Sequence, residues 1–190
     1  MPLDLHGTGV DFYAVSGQKW LCGPEGTGGL YVRRDALPLL APTFVGYASM
    51  ATRDVQGYYL PQPGARRFEA GMRYPPATAG QCASLEWWRD EVGPAWAYAR
   101  IHGLAARLIA GLCAIAGVEV VTPPGAHAGL VSFQVHGLQP EAVVERLTQD
   151  HGILCRSVPS RPLIRLSTGW YNTVAEIDRA VDAVAAIAAV

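Results

Sequence analysis

Lys19 is the only lysine in a chain of 190 residues that carries fourteen arginines. Where a plain positive charge suffices, this chain uses arginine. Lysine differs in one chemically decisive respect: its amine can lose a proton and become a nucleophile, which a guanidinium cannot. Lys19 follows Ser16, Gly17 and Gln18 and precedes a stretch containing Gly23, Gly26, Gly28 and Gly29, a strand-to-turn setting in which a reactive group can be held rigidly. A phosphate-binding P-loop is a poor alternative, because its lysine comes after the glycines rather than before them. The count suggests a Schiff-base lysine without establishing it. On composition alone, a lysine left by arginine bias on a surface turn is the weightier explanation.

The four cysteines, Cys22, Cys82, Cys113 and Cys155, lie far apart with no C-x-x-C pair. They read as reduced, mostly buried thiols of a cytoplasmic protein, and their spacing supports neither a disulfide framework nor a tetrahedral metal site. Half of the residues are hydrophobic, 16% are charged and the formal net charge is −1. An average soluble domain has about 25% charged residues, so polar cover is thin, and an oligomer interface or a missing covalent partner is expected. Arg33-Arg34 and Arg66-Arg67 are the only basic pairs, which argues against a nucleic-acid partner. Met1-Pro2-Leu3-Asp4 has no features of a signal peptide. The apolar stretches Leu108–Val118 and Ala183–Val190 are too short to span a bilayer, so no membrane partner is expected.

These residues need elements to position them. Val10–Val15 and Gly29–Arg33 are β-branched and aromatic runs that predict strands on either side of the lysine turn. Residues 41–76 show little periodicity and are expected to be irregular, with a loop around 46–60. Helices are predicted over Thr78–Glu91 and Pro94–Ala116, separated by Gly93-Pro94, with Leu104, Leu108, Leu112 and Ile115 forming one apolar stripe. Val118–Val121, Leu130–Val135, Ile153–Ser157 and Ile164–Ser167 predict short strands. A helix from Pro140 to His151 starts with proline in its first turn. The last helix opens on a Thr173–Glu176 capping box and places Ile177, Val181, Val184 and Ala188 on one face.

Three segments, in order, resemble one family. DFYAVSGQKWLCGPEGTGGLYVRR (11–34) resembles the cofactor-lysine region of class V aminotransferases, the pyridoxal-phosphate group that includes cysteine desulfurases and isopenicillin N epimerase-like proteins. ARRFEAG (65–71) and RLSTGWYNTVAEIDR (165–179) resemble two later motifs of the same family. The resemblance implies pyridoxal 5'-phosphate as cofactor, a Schiff base at Lys19 that also moves the α-proton, and phosphate contacts from Ser16 and Gln18. Gln18 stands where many members have histidine; an amide can donate a hydrogen bond but cannot do acid–base work. The resemblance further gives Arg165 the α-carboxylate of a small amino-acid substrate, held as a bidentate pair. A salt bridge from Arg165 to Asp178 or Glu176 is the structural alternative. Tyr171, Asn172 and Thr173 read as turn and cap residues.

The departures also matter. Met72 stands where the family often has a threonine that reaches the neighbouring subunit's phosphate; methionine cannot donate that hydrogen bond, and Arg73 or a backbone N–H is the candidate substitute. The stretch RSVPSRPLIR (156–165) lacks the cysteine of persulfide-forming desulfurases, and Cys155 lies upstream in a predicted strand. Members are about twice as long. The resemblance therefore implies an α/β plus α+β fold: the C-terminal part of a fold-type I pyridoxal-phosphate transferase. Residues 1–75 would be the remnant of the large cofactor-binding domain and 76–190 the complete small α+β domain. Neither Asp4 nor Asp11 matches the aspartate that faces the pyridine nitrogen. A C-terminal fragment or misassigned start is the favoured explanation, and a separately encoded N-terminal half the other. The expected reaction is transamination, epimerisation or β-elimination in a homodimer; the alternative is a catalytically inactive small-domain or dimerisation module.

Overall fold

The computed structural model describes every residue except 1, 2, 72, 124, 126 and 190. Contacts divide the chain after Gly93 into two compact units.

In residues 3–93, β1 (Phe12–Ser16) and β2 (Gly28–Val32) pair antiparallel, with Phe12 opposite Val32 and Ser16 opposite Gly28. Gly28 permits the close approach, since a Cβ there would stand 2.5 Å from the carbonyl oxygen of Val15. The region expected to be a loop contains a second hairpin, β3 (Met50–Arg53) with β4 (Tyr59–Pro61). Its tip is closed by Asp54, whose Oδ1 accepts from the N–H groups of Gln56 and Tyr58 at 3.0 and 2.9 Å, and by Gly57 at φ +92°. Almost every residue of these two strands is exposed, so no inward face imposes the alternation by which a strand is read. Short 3-10 segments occupy Arg34–Leu39 and Gly64–Phe68.

Helix α1 (Pro75–Trp87) starts on two prolines, whose missing N–H groups are no loss in a first turn, and widens into a π turn at Trp88–Val92 that Gly93 ends at φ +81°. The sequence puts a domain boundary at 75/76, whereas contacts divide the chain after Gly93. The cause is local: side chains of α1 bond back to residues 21 and 27.

In residues 94–189, α2 (Pro94–Cys113), β5 (Val118–Val120), β6 (Leu130–Val135), α3 (Pro140–Gln149), β7 (Arg156–Ser157), β8 (Ile164–Ser167) and α4 (Val174–Ala188) follow in order. The sheet runs β5-β6-β8-β7, antiparallel throughout. Val131, Phe133 and Val135 of β6 and Ile164 and Leu166 of β8 point inward onto Leu104, Leu108 and Leu112 of α2, Val143 and Leu147 of α3, and Ile177, Val184 and Ile187 of α4. Each such side chain contributes roughly 1.5–3 kcal/mol by leaving water. Gly111 lets α4 approach α2, because a Cβ there would meet Val181 Cγ2 at 2.6 Å. The Thr173–Glu176 capping box forms as expected. β7 is shorter than predicted: Gly152 at φ +63° and the bond from Ile153 N–H to Leu147 O, 2.8 Å, fold the preceding residues against the end of α3.

The cysteines are free thiols, but the expectation of burial fails for three of them. Cys22, Cys82 and Cys113 are exposed and Cys155 is half-buried. Cys82 lies on a helix that buries no residue, and Cys113 ends α2 away from its apolar stripe. Among the described residues, no group of three or more His, Cys, Asp or Glu side chains could hold a metal ion. No helix among them is long and apolar enough to cross a membrane.

Candidate active site

Ser16 is the last residue of β1, and the eleven residues that follow, 17–27, form a closed turn. The Gly17 N–H donates to Thr27 O at 2.8 Å, the Gly23 N–H to Gly17 O at 2.9 Å and the Cys22 N–H to Lys19 O at 2.9 Å. Cys22 takes φ +55°, the left-handed conformation that reverses the chain just beyond the lysine. Gly17 is buried, while Ser16, Gln18 and Lys19 are exposed. Among the described residues, the side chains of Ser16, Gln18 and Lys19 have no hydrogen-bond or ion-pair partner. The turn thus presents a hydroxyl, a carboxamide and an amine, all uncommitted.

Two residues that the sequence reading did not single out face this turn from α1. The Thr27 hydroxyl donates to Gln81 Oε1 at 2.6 Å, and the Ser84 hydroxyl donates to Leu21 O at 2.6 Å. No local signal marks them, because the Thr27–Gln81 pair spans 54 residues. Met72, which stands in the place of the family's threonine, lies outside the described residues, and Arg73, the side chain offered in its stead, is ion-paired with Glu69 on the same segment.

Arg165 belongs to the other unit. It lies on the outer face of β8, opposite Ser132 of β6 and opposite Arg156 of β7. Its side chain is half-buried, with the Nε buried and without a hydrogen-bond partner, and no carboxylate among the described residues pairs with it. Both carboxylates offered as a structural alternative are engaged elsewhere. Asp178 accepts Arg107 Nε and Nη2 at 2.6 and 2.9 Å, and Glu176 accepts the Thr173 N–H at 2.7 Å and Asn172 Nδ2 at 3.3 Å. The Arg107 guanidinium holds the Asp178 carboxyl below its ordinary range, and the Thr173 N–H does the same for Glu176. Asn172 Oδ1 also accepts the Gly169 N–H at 2.8 Å, and Arg100 donates to the carbonyls of Trp170 and Asn172 at 2.9 and 2.7 Å. Residues 170–173 therefore shape the turn after β8. From His151 to Ala175 the chain has three arginines and no acidic residue. A guanidinium facing a second arginine and lacking a counter-ion is suited to an incoming carboxylate.

The family model for aminotransferase class-V matches residues 1–180. The chain belongs to the aminotransferase class-V family. Among its relatives is a probable cysteine desulfurase 2 of Mycobacterium leprae, 34% identical over 95% of this chain and 45% of that protein. Another is the isopenicillin N epimerase of Streptomyces clavuligerus, 32% identical over 98% of this chain and 50% of the epimerase. A solved complex of the cystine C-S lyase C-DES with its reaction product cysteine persulfide superposes with a TM-score of 0.85 at 32% identity, covering 97% of this chain and 49% of C-DES. A cysteine desulfurase from Escherichia coli gives a TM-score of 0.79 at 27% identity over 96% of this chain and 47% of that one. The chain thus spans about half the length of the relatives it matches, and its fold is that of part of a fold-type I pyridoxal-phosphate enzyme. A C-DES variant has been solved with glycine covalently linked to its PLP cofactor; pyridoxal phosphate is the cofactor of the family.

Proposed function

We propose that this chain supplies the lysine and the carboxylate-binding arginine of a pyridoxal-phosphate enzyme acting at the Cα of a small amino acid, by transamination, epimerisation or β-elimination. The observation that carries the reading is the Lys19 turn: the only lysine of the chain, uncommitted, beside two uncommitted donors on a closed loop.

The donor set fits the cofactor at two of its ends. The Ser16 hydroxyl and the Gln18 amide can donate to a phosphate, and the Lys19 amine suits an aldehyde. Near the turn, Asp11 is paired with Arg33 at 2.6 Å, Asp4 accepts the His6 N–H at 3.0 Å and Glu25 stands exposed on the turn itself; none of them is assigned to the ring nitrogen. In this reading that contact is one for a separately encoded N-terminal half or a longer form of the chain to supply. When bound, the cofactor withdraws electrons from the amino acid and acidifies its Cα–H bond. Lys19 Nζ, as a free amine, takes and returns that proton. Gln18 can only donate or accept hydrogen bonds, which leaves Lys19 as the base of the turn. Arg165 orients the substrate by two parallel N–H···O bonds to its α-carboxylate.

The reading disfavours a persulfide carried on the protein itself. Residues 156–165 hold no cysteine, and burial pushes the nearby Cys155 thiol up to about 11, leaving about one molecule in ten thousand as thiolate at neutral pH. The reading includes a homodimer, for which Leu39, Phe44, Tyr47, Tyr58 and Tyr74, each at least 62% exposed, are candidate contact residues. A catalytically silent module is the second reading, favoured by the chain's covering only about half the length of the relatives it matches. Borohydride capture of pyridoxal phosphate on the folded chain, with Lys19→Ala as control, tests the proposal: capture is expected at Lys19, and its absence supports the silent module.

A further inference from the structure

We propose that Gln81 is the positioning residue of the Lys19 turn, clamping it from α1 with Ser84, one helical turn further on, as the second anchor. The functional weight of this inference rests on the reading of Lys19 given above; the geometry of the clamp does not.

The turn is closed where Gly17, Gly23 and Thr27 meet, and the carboxamide of Gln81 is inserted at that junction. The Thr27 hydroxyl donates to Gln81 Oε1 at 2.6 Å. A Cβ on either Gly17 or Gly23 would overlap Gln81 Oε1. Neither glycine has a positive φ, so nothing in their backbone conformation demands glycine. Their missing side chains leave the space that the Gln81 amide occupies, shared at Gly17 with the Thr27 hydroxyl, and a side chain at either position would displace the amide from the junction. Gly80 gives the same helix face its approach, since a Cβ there would stand 2.8 Å from Pro24 Cγ. Ser84 then donates to Leu21 O at 2.6 Å. Residues three apart on a helix share a face, and this face holds the chain at Gly17 and at Leu21, two residues before and two residues after Lys19.

A methionine would fill the same slot, and it would not leave a buried Nε2 without a partner, as Gln81 does. Thr27 also has an acceptor inside the turn, Pro24 O at 2.5 Å, and its one proton is shared between the two; what the amide adds is the second acceptor, which ties the end of the turn to α1. Gln81 touches none of the reacting atoms; it acts through Gly17, Gly23 and Thr27 on the direction in which Lys19 leaves the backbone.

The test uses the full chain and three variants: Gln81→Met and Thr27→Val, which remove the bond at similar volume, and Thr27→Ser, which keeps the hydroxyl and loses one methyl group. Amide hydrogen exchange is followed at Gly17 and Gly23, together with borohydride capture of pyridoxal phosphate at Lys19. Loss of one ordinary hydrogen bond predicts exchange about fivefold faster at Gly17 and Gly23 in Gln81→Met and Thr27→Val, with the amides of β6 and β8 unchanged. Thr27→Ser should exchange as the wild type does, and capture at Lys19 should fall several-fold in the first two variants and return in Thr27→Ser. The clamp is overturned if the turn amides of Gln81→Met and Thr27→Val exchange at the wild-type rate, or if Thr27→Ser is as fast as Thr27→Val. A wild-type chain that captures no cofactor refutes the reading of Lys19 instead, and the exchange data still decide whether Gln81 holds the turn.

Discussion

Replacing Arg165 with methionine should leave the chain at least as stable as the wild type while removing its grip on an α-carboxylate. Arg165 stands directly across from Arg156 in the β7–β8 ladder, and like charges in that relation cost about 0.2–1 kcal/mol. Its Nε is buried and unpartnered, which adds a desolvation cost of about 1–3 kcal/mol for a fully buried group and less here, where the side chain is only half-buried. Methionine keeps most of the aliphatic stem that packs on the sheet. The sum favours the variant by about 1 kcal/mol. A structural arginine predicts the opposite sign, because breaking a buried ion pair costs about 3–5 kcal/mol. Urea unfolding followed by tryptophan fluorescence, with Trp96 and Trp170 as reporters in the same unit, distinguishes the two; equal m-values would show that the same surface is exposed on unfolding. A loss of more than about 2 kcal/mol would refute the reasoning and return Arg165 to a structural role.

Two further outcomes follow from the titrating groups. Glu176 and Asp178 both have carboxyls held below their ordinary values of 4.5 and 3.8, so their contribution to stability is complete above those values and is lost as pH falls through the lower folded ones; denaturation at a series of acid pH values should show this, and Asp178→Asn should remove part of the slope. Iodoacetamide should label Cys155 last: a rise from 9.0 to about 11 leaves about a hundredfold less thiolate, partly offset by its greater nucleophilicity, for a net lag of about tenfold behind an unshifted thiol. Peptide mapping that finds Cys155 labelled as fast as the exposed Cys113 would contradict the burial assigned to it.

Legibility in the sequence followed the physics of each element. β6 and β8 were readable to the residue at 130–135 and 164–167, because one face of that sheet is buried and forces strict alternation. The start of α4 was equally plain, since Thr173 and Glu176 carry their cap in their own side chains. The β3–β4 hairpin was hidden because both of its faces are wet, although Asp54 and Gly57 marked its tip. The extent of α1 and its attachment to the first unit were not readable, because they depend on Gln81 and Ser84 meeting residues more than fifty positions away. At the candidate site the same division holds. Lys19 stood out by being the only lysine, but its count alone favoured a chance surface residue, and its role, like those of Ser16, Gln18 and Arg165, was implied by the resemblance. That Asp178 and Glu176 are engaged elsewhere, leaving Arg165 without a carboxylate, required three dimensions.

The central claim is that Lys19 is a cofactor lysine served by a carboxylate-binding arginine. Its most direct test is borohydride capture of pyridoxal phosphate on the folded chain in the presence and absence of a small L-amino acid, with the modified peptide mapped and denatured chain as reference. The account predicts modification at Lys19 that depends on folding, is absent from Lys19→Ala, and is suppressed by the amino acid in the wild type but not in Arg165→Met. Modification of Lys19 no greater in the folded than in the denatured chain, and indifferent to the amino acid, would contradict it.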